Sequence, residues 1–319
     1  MFSDGSDIVN LLKGICNSIP HEAILLSGGL DSSILLHLTQ PKNAITITLN
    51  YYSNDLKFSS LAIKGAKSFH HIINPDLNEI INSIRELVSI SKTFDPIYIR
   101  NNVVQLIGCK HAINLGCKTI IIGDGADELF AGYNYLHKYV NEPQILCRKI
   151  KDLFDNMDFF SNRISKFYKL KVYLPFLEQQ IIEFSKTLTI NDKISRYEGC
   201  LYGKFLLRQH FLPILGEEIV WRKKEALEIG SGMNMYVSKI EELVENEQYV
   251  YGVQKAAKEG VKIRNKEHLF YYNFYRQFFA PPGNVQKKQT STKKCTFCNT
   301  AWEWRGNYCK VCGAYPVKN

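Results

Sequence analysis

Residues 23–33 read Ala23-Ile24-Leu25-Leu26-Ser27-Gly28-Gly29-Leu30-Asp31-Ser32-Ser33, and this stretch decides the fold. Four apolar residues make a compact strand, Ala23–Leu26, that runs directly into a glycine pair. From about Asp31 to Leu38 the pattern becomes that of an amphipathic helix. A strand that turns through glycines into a helix N-terminus suits an anion. Glycines let the backbone wrap closely, serine hydroxyls add donors, and the helix dipole favours negative charge. Asp31 inside such a nest would repel a phosphate unless it holds a cation, so it implies magnesium. No Gly-Lys-Ser/Thr closes the loop, which excludes a Walker A motif.

Outward from this stretch, residues 7–16 read as a short helix. Further strands are expected at Ala44–Leu49, Phe69–Ile73 and Thr119–Ile122, where β-branched residues cluster. Helical spacing marks Leu61–Phe69, Leu77–Ile90 and Val103–Leu115, the last ended by Gly116. Strands alternating with helices indicate an α/β fold with a doubly wound parallel sheet, whose ligands bind at the carboxyl ends of the strands. The strand Thr119–Ile122 meets a second loop there, Gly123-Asp124-Gly125-Ala126-Asp127-Glu128. Its acidic cluster would complete a magnesium site with Asp31. From about 141 to 280 strand signals fade, and a helical lobe is expected.

The chain of 319 residues is 45% hydrophobic and 22% charged, the composition of a soluble globular protein. Of its net charge of +9, residues 284–319 carry +6, which leaves the rest nearly balanced. Residues 284–294 read as a basic linker. No basic-then-apolar leader opens the chain, and no apolar run approaches the roughly 18 residues of a membrane span, so the expected location is cytoplasmic with no membrane partner. Nine cysteines is an odd count, and Cys16, Cys109, Cys117, Cys147 and Cys200 are scattered, which points to reduced thiols. The other four, Cys295, Cys298, Cys309 and Cys312, form two Cys-x2-Cys knuckles ten residues apart, the spacing of a zinc ribbon. The linker has no apolar pattern, so the ribbon is expected to fold by itself, and truncation near Pro282 to leave a folded core.

Ser27-Gly28-Gly29-Leu30-Asp31-Ser32 resembles the PP-loop of the ATP pyrophosphatases, in the form typical of the asparagine synthetase and β-lactam synthetase branch. Gly123-Asp124-Gly125-Ala126-Asp127-Glu128, continuing to Gly132-Tyr133, is similar to that branch's second loop. Leu174-Pro175-Phe176-Leu177-Glu178, Lys204-Phe205-Leu206-Leu207-Arg208 and Trp221-Arg222-Lys223-Lys224-Glu225 with Gly230-Ser231-Gly232 resemble segments of its helical lobe.

The resemblance implies an adenine nucleotide α-hydrolase-like core over 1–140, a synthetase helical lobe over 141–283, then the linker and the ribbon at 295–319. It implies an ATP-dependent ligase that adenylates a small or carrier-bound carboxylate and passes it to ammonia or another amine. Ser27, Gly28, Gly29, Asp31, Ser32 and Ser33 would cradle pyrophosphate. Leu26 and Thr48 would meet adenine. Gly123, Lys138 and Lys204 would also contact the nucleotide. Asp31 and Asp127 would hold Mg²⁺, and Lys204, Asp124 and Asp127 would be catalytic. Two departures stand out. The family's Glu in Gly-Glu-Gly is Asp124, which moves the carboxylate by about 1.5 Å and puts aspartate as substrate in question. No glutamine amidotransferase domain accompanies the synthetase half, so the amine is expected from free ammonia or a separate glutaminase subunit. The alternative is a tRNA-modifying PP-loop enzyme that docks RNA through the basic linker and the ribbon; the residue after the glycine pair, Leu30 rather than the Lys typical of thiolating enzymes, speaks against it.

Overall fold

The computed structural model describes residues 6–50, 52–284, 293–301 and 306–317. The described residues fall into two compact units, one within Met1–Asn74 and Gly108–Ala226, the other within Pro75–Ile107 and Leu227–Asn319.

The first unit is built on a five-stranded parallel sheet in the order β3-β2-β1-β4-β5. Its strands are β1 (Ala23–Leu25), β2 (Asn43–Ile47), β3 (Phe69–Ile73), β4 (Thr119–Ile121) and β5 (Lys171–Tyr173). β2 is buried at every position, as expected of a parallel strand covered on both faces. The strand order reverses between β1 and β4, and at such a switch point the loops leaving the two carboxyl ends part and open a crevice. The glycine pair follows β1 and Gly123 follows β4, so both expected loops open at this one crevice.

Ile34, Leu35 and Leu36 of the helix Leu30–Thr39 are buried and share a core with Ile8, Leu12, Phe130, Phe176 and Phe211. Burying each such side chain contributes about 1.5–3 kcal/mol, so the loop between β1 and this helix is anchored at both ends.

Three expectations are corrected. The helix expected at Leu61–Phe69 lies earlier, at Asn54–Ala62. The Ser53 hydroxyl accepts from Leu56 N at 3.2 Å and caps it, and a short 3-10 turn ends at Gly65 before β3 begins. The region after 141 is not wholly helical, since it supplies β5 and an antiparallel hairpin of β6 (Ile194–Tyr197) and β7 (Cys200–Gly203). β5 has only three residues, too few for a sequence signal.

The third correction concerns the ribbon. It belongs to the second unit with residues 75–107 and 227–284, and it packs there against Phe94, Asp95 and Arg264. It is therefore not an independent appendage, and a cut near Pro282 would remove part of a folded unit. The compact units thus part the chain differently from the expected division at 140 and 283. Of the expected linker 284–294, residues 285–292 lie outside the described residues. Elsewhere in this unit the helices Leu77–Ser91, Tyr236–Glu242 and Asn246–Lys258 pack on the helix Lys266–Phe278.

Candidate functional site

The first loop leaves β1 at Leu26, whose N–H donates to Ile45 O at 2.8 Å and whose carbonyl accepts from the Thr46 hydroxyl at 2.7 Å. Gly28 has φ +66, and a Cβ there would overlap the backbone of Phe58 and Ser59, so only glycine fits. Ser27 Oγ accepts from Gly29 N and lies 3.2 Å from Ser32 Oγ, which also reaches Gly29 O. No side chain caps the helix that starts at Leu30, so the N–H groups of its first turn face the loop without a side-chain acceptor. Ser33 Oγ and Asp31 Oδ1 are buried with no hydrogen-bond partner among the described residues.

The second loop lies directly against the first. A Cβ on Gly123 would stand 3.2 Å from Asp31 Cβ, so glycine here sets how closely the loops approach. A short helix, Ala126–Leu129, then carries Asp127. Lys204 Nζ lies 2.5 Å from Asp31 Oδ2 and 2.6 Å from Asp127 Oδ1, and Lys224 Nζ lies 2.8 Å from Asp127 Oδ2. Two carboxylates and two ammonium groups thus meet where the loops touch.

The Lys204 backbone has φ +56, and its N–H donates to Phe130 O at 2.8 Å. This left-handed position, at the start of the helix Phe205–Leu215, turns the side chain inward. Gly203 and Gly132 permit it, because a Cβ on Gly203 would overlap Ala131 O and one on Gly132 would overlap both Asp127 Oδ1 and Lys204 Cε. Arg208, one turn on, donates to Gly203 O, to Val220 O and to Arg222 O. It thereby ties the Lys204 segment to the strand of chain that bears Lys224.

Burial acts to raise the pKa of Asp127, but Lys204 and Lys224 outweigh it and hold the group below the usual carboxylate range. At Asp31 burial dominates and, with Asp127 beside it, pushes the pKa up against the pull of Lys204. Burial also opposes the charge of Lys224, yet Asp127 and Asp31 carry its pKa up to about 12. Hard oxygen donors, one of them an orphaned Asp31 oxygen, fit a magnesium ion in this crevice, and a buried serine hydroxyl beside uncapped helix amides fits a phosphate.

The remaining expected positions divide. Thr48, at the end of β2, spends its hydroxyl on Asn50 O and Ser53 Oγ, and its N–H on Ile73 O. The Oδ2 of Asp124 accepts from Ser161 Oγ at 2.7 Å. Lys138 is exposed, with its ammonium 5.0 Å from the Tyr139 ring, and the structure does not bring it to the cluster. Lys224, quoted only as part of a segment, was missed as a site residue, and so were Arg222 and Asp55. Arg222 donates to Ser27 O at 2.8 Å, to Asp55 Oδ1 at 2.7 Å and to Glu225, and lies over the Phe58 ring. It clamps the first loop from behind.

In the second unit the four cysteine sulfurs all lie within 4.8 Å of one another and are buried. Cys295 and Cys312, and Cys298 and Cys309, are 3.8 Å apart. That is close to the edge of a thiolate tetrahedron with zinc–sulfur bonds of about 2.3 Å, and far beyond the roughly 2.05 Å of a disulfide.

The family model for asparagine synthase matches residues 21–144 and 140–303. The chain belongs to that family. The second match ends between the two cysteine pairs of the ribbon. Similar proteins include asparagine synthetase [glutamine-hydrolyzing] 1 of Arabidopsis thaliana, 25% identical over 333 residues, covering 93% of this chain and 54% of the relative. The corresponding enzyme of Triphysaria versicolor is 26% identical over 324 residues, 91% of this chain and 53% of the relative. That of Lotus japonicus is 27% identical over 242 residues, 70% and 41%. The chain spans about half the length of these relatives. An asparagine synthetase-like ligase domain is what these matches support, and the alternative of a tRNA-modifying enzyme draws no support from them. No helix among the described residues is long and apolar enough to cross a membrane.

Proposed function

We propose that this chain is an AMP-forming carbon–nitrogen ligase, which adenylates a carboxylate with ATP and transfers the acyl group to ammonia or another amine. The observation that carries this reading is the meeting of Asp31, Asp127, Lys204 and Lys224 at the crevice between β1 and β4. A carboxylate oxygen attacks the α-phosphorus and the bond to pyrophosphate breaks. The amine nitrogen then attacks the acyl carbon, the bond to AMP breaks, and a proton leaves the nitrogen.

Ser27, Ser32, Ser33 and the first-turn amides take the departing pyrophosphate. Asp31 and Asp127 are the residues that would hold Mg²⁺, which supplies charge neutralisation between phosphate oxygens when bound. Lys204 and Lys224 reach the same point and offset negative charge growing on the α-phosphate and the acyl oxygen, the kind of preorganised stabilisation that dominates such transfers. Asp124, held by Ser161, faces the acceptor side. Leu26 and Thr48 flank adenine at the ends of β1 and β2; the N–H of Leu26 is committed to the sheet, and its carbonyl, which accepts from Thr46, keeps one lone pair.

The four cysteines hold one zinc ion. The carboxylate is a small molecule or carrier-bound, and the amine is ammonia, free or delivered by a glutaminase, or another amine. Pyrophosphate release across a panel of carboxylates and amines tests the reading. Release that requires both a carboxylate and ATP supports it, and carboxylate-independent release would refute it.

A further inference from the structure

Both cysteine knuckles join the ribbon to its unit, the second through more of its backbone. Phe94 N donates to Val311 O at 2.9 Å and Thr93 Oγ1 to the same carbonyl at 3.0 Å. Arg264 donates to Cys312 O at 2.8 Å and to Gly313 O at 2.9 Å. The Tyr308 hydroxyl donates to the carboxylate of Asp95, which is 1% exposed. Gly313 has φ +72, and a Cβ on it would meet the Asp95 carboxyl. The other knuckle contributes Phe297 O, which accepts from Lys262 N at 2.7 Å, and Asn299, which donates to Gly260 O at 3.2 Å.

The side chain these bonds position is Phe94, fully buried against His268, Tyr272 and Tyr275 of the helix Lys266–Phe278, with ring centroids 4.9–5.2 Å away. That helix in turn packs on Leu77–Ser91, the helix that ends just before Thr93.

Each joining group lies on backbone whose shape the cysteines set. Gly313 N returns to Cys309 O at 2.8 Å, and Asn299 N to Cys295 O at 2.8 Å. A segment this short buries too little apolar surface to keep such turns without a staple. Four thiolates around a metal supply one, and free energy of metal binding becomes free energy of folding.

We propose that the zinc ion is a keystone of the second unit. By fixing the knuckle at 308–313 it fixes residues 93–95 and Arg264, and through Phe94 the packing of the helices Leu77–Ser91 and Lys266–Phe278. This rests on the assignment of zinc to the four cysteines and is independent of the ligase reading.

The test is hydrogen exchange with mass spectrometry on the full chain, with its metal content measured before and after stripping by a chelator. One zinc per chain is expected. Stripping should raise exchange at 93–99 and 266–278 at least about tenfold, an opening cost of about 1.4 kcal/mol, and added zinc should reverse it. Gly313→Ala leaves all four ligands in place; it should keep its zinc and still raise exchange at 93–99. A chain that binds no zinc at these cysteines overturns the assignment and the proposal with it. A chain that binds and loses zinc with unchanged exchange overturns the keystone role alone, and so does unchanged exchange in Gly313→Ala.

Discussion

The Lys204 ammonium lies 2.5 Å from a carboxylate oxygen of Asp31, a residue 173 positions earlier in the chain. The contact needs a lysine in left-handed backbone conformation, a helix N-terminus at the end of β1, and glycines at 132 and 203 where any side chain would collide. Lys204→Met should therefore lower turnover by about 10²–10³-fold, the loss typical of one charge-stabilising donor. Steady-state kinetics with a circular-dichroism check of folding measures this. Turnover within a factor of a few of the parent would remove Lys204 from the reaction.

Gly132→Ala tests the same geometry without deleting a charge. The added methyl would displace Asp127 Oδ1 and Lys204 Cε, and a displacement on the scale of 1 Å can cost about a hundredfold. Activity should fall by that order while the melting temperature changes little. Parental activity in this variant would show that the carboxylate–ammonium contact is not needed.

Burial pushes the pKa of Asp55 up to about 6, against the pull of Arg222 and Lys224 and with Glu225 adding to the rise. The sign for stability follows from the comparison with a free aspartate near 3.9. As pH falls below about 6 the folded chain takes up this proton before the unfolded chain does, so the titration favours folding between about pH 6 and 4. A loss of function there is not acid unfolding driven by Asp55. Protonation weakens the hold of Asp55 on Arg222, which grips the Ser27 carbonyl. The Michaelis constant for ATP should rise as pH falls through about 6, and Asp55→Asn should show the raised value at every pH. An Asp55→Asn profile identical to the parent would contradict the clamp.

The Ser161 hydroxyl donates to Asp124 at 2.7 Å, on the side assigned to the acceptor. Ser161→Ala should change the Michaelis constant for the carboxylate or amine severalfold, with that for ATP within about twofold, since nothing at the first loop is touched. The opposite pattern would place Asp124 at the nucleotide.

Much of the crevice between β1 and β4 was readable in the chain because its signals are local. Ala23–Asp31 and Thr119–Asp127 each hold a strand, a glycine turn and a carboxylate within about ten residues, and both loops open where expected. What escaped the reading is non-local. Asp55, Arg222 and Lys224 look like ordinary surface charges until folding brings them into ion pairs, and only the resemblance of Trp221–Glu225 to a segment of the family's helical lobe hinted otherwise. The helix Asn54–Ala62 was mislocated because its cap, Ser53, is a single hydroxyl, whereas Ala62, Ala66 and Phe69 imitate helical spacing across the 3-10 turn Ile63–Gly65. The docking of the ribbon runs through backbone carbonyls at 311–313, which leave no trace in residue identity apart from Gly313. β5 gains its place by pairing with β4, and three residues cannot announce that in advance.

The central claim is that the crevice between β1 and β4 activates a carboxylate at the α-phosphate of ATP. It is tested most directly by identifying the products of ATP labelled at the α- and γ-positions, with Mg²⁺, an amine and a panel of carboxylates beginning with aspartate. The account predicts AMP and pyrophosphate in equal amounts, dependent on the carboxylate and reduced by orders of magnitude in Asp31→Asn and Asp127→Asn. ADP and phosphate as products, or undiminished pyrophosphate release in either variant, would contradict it.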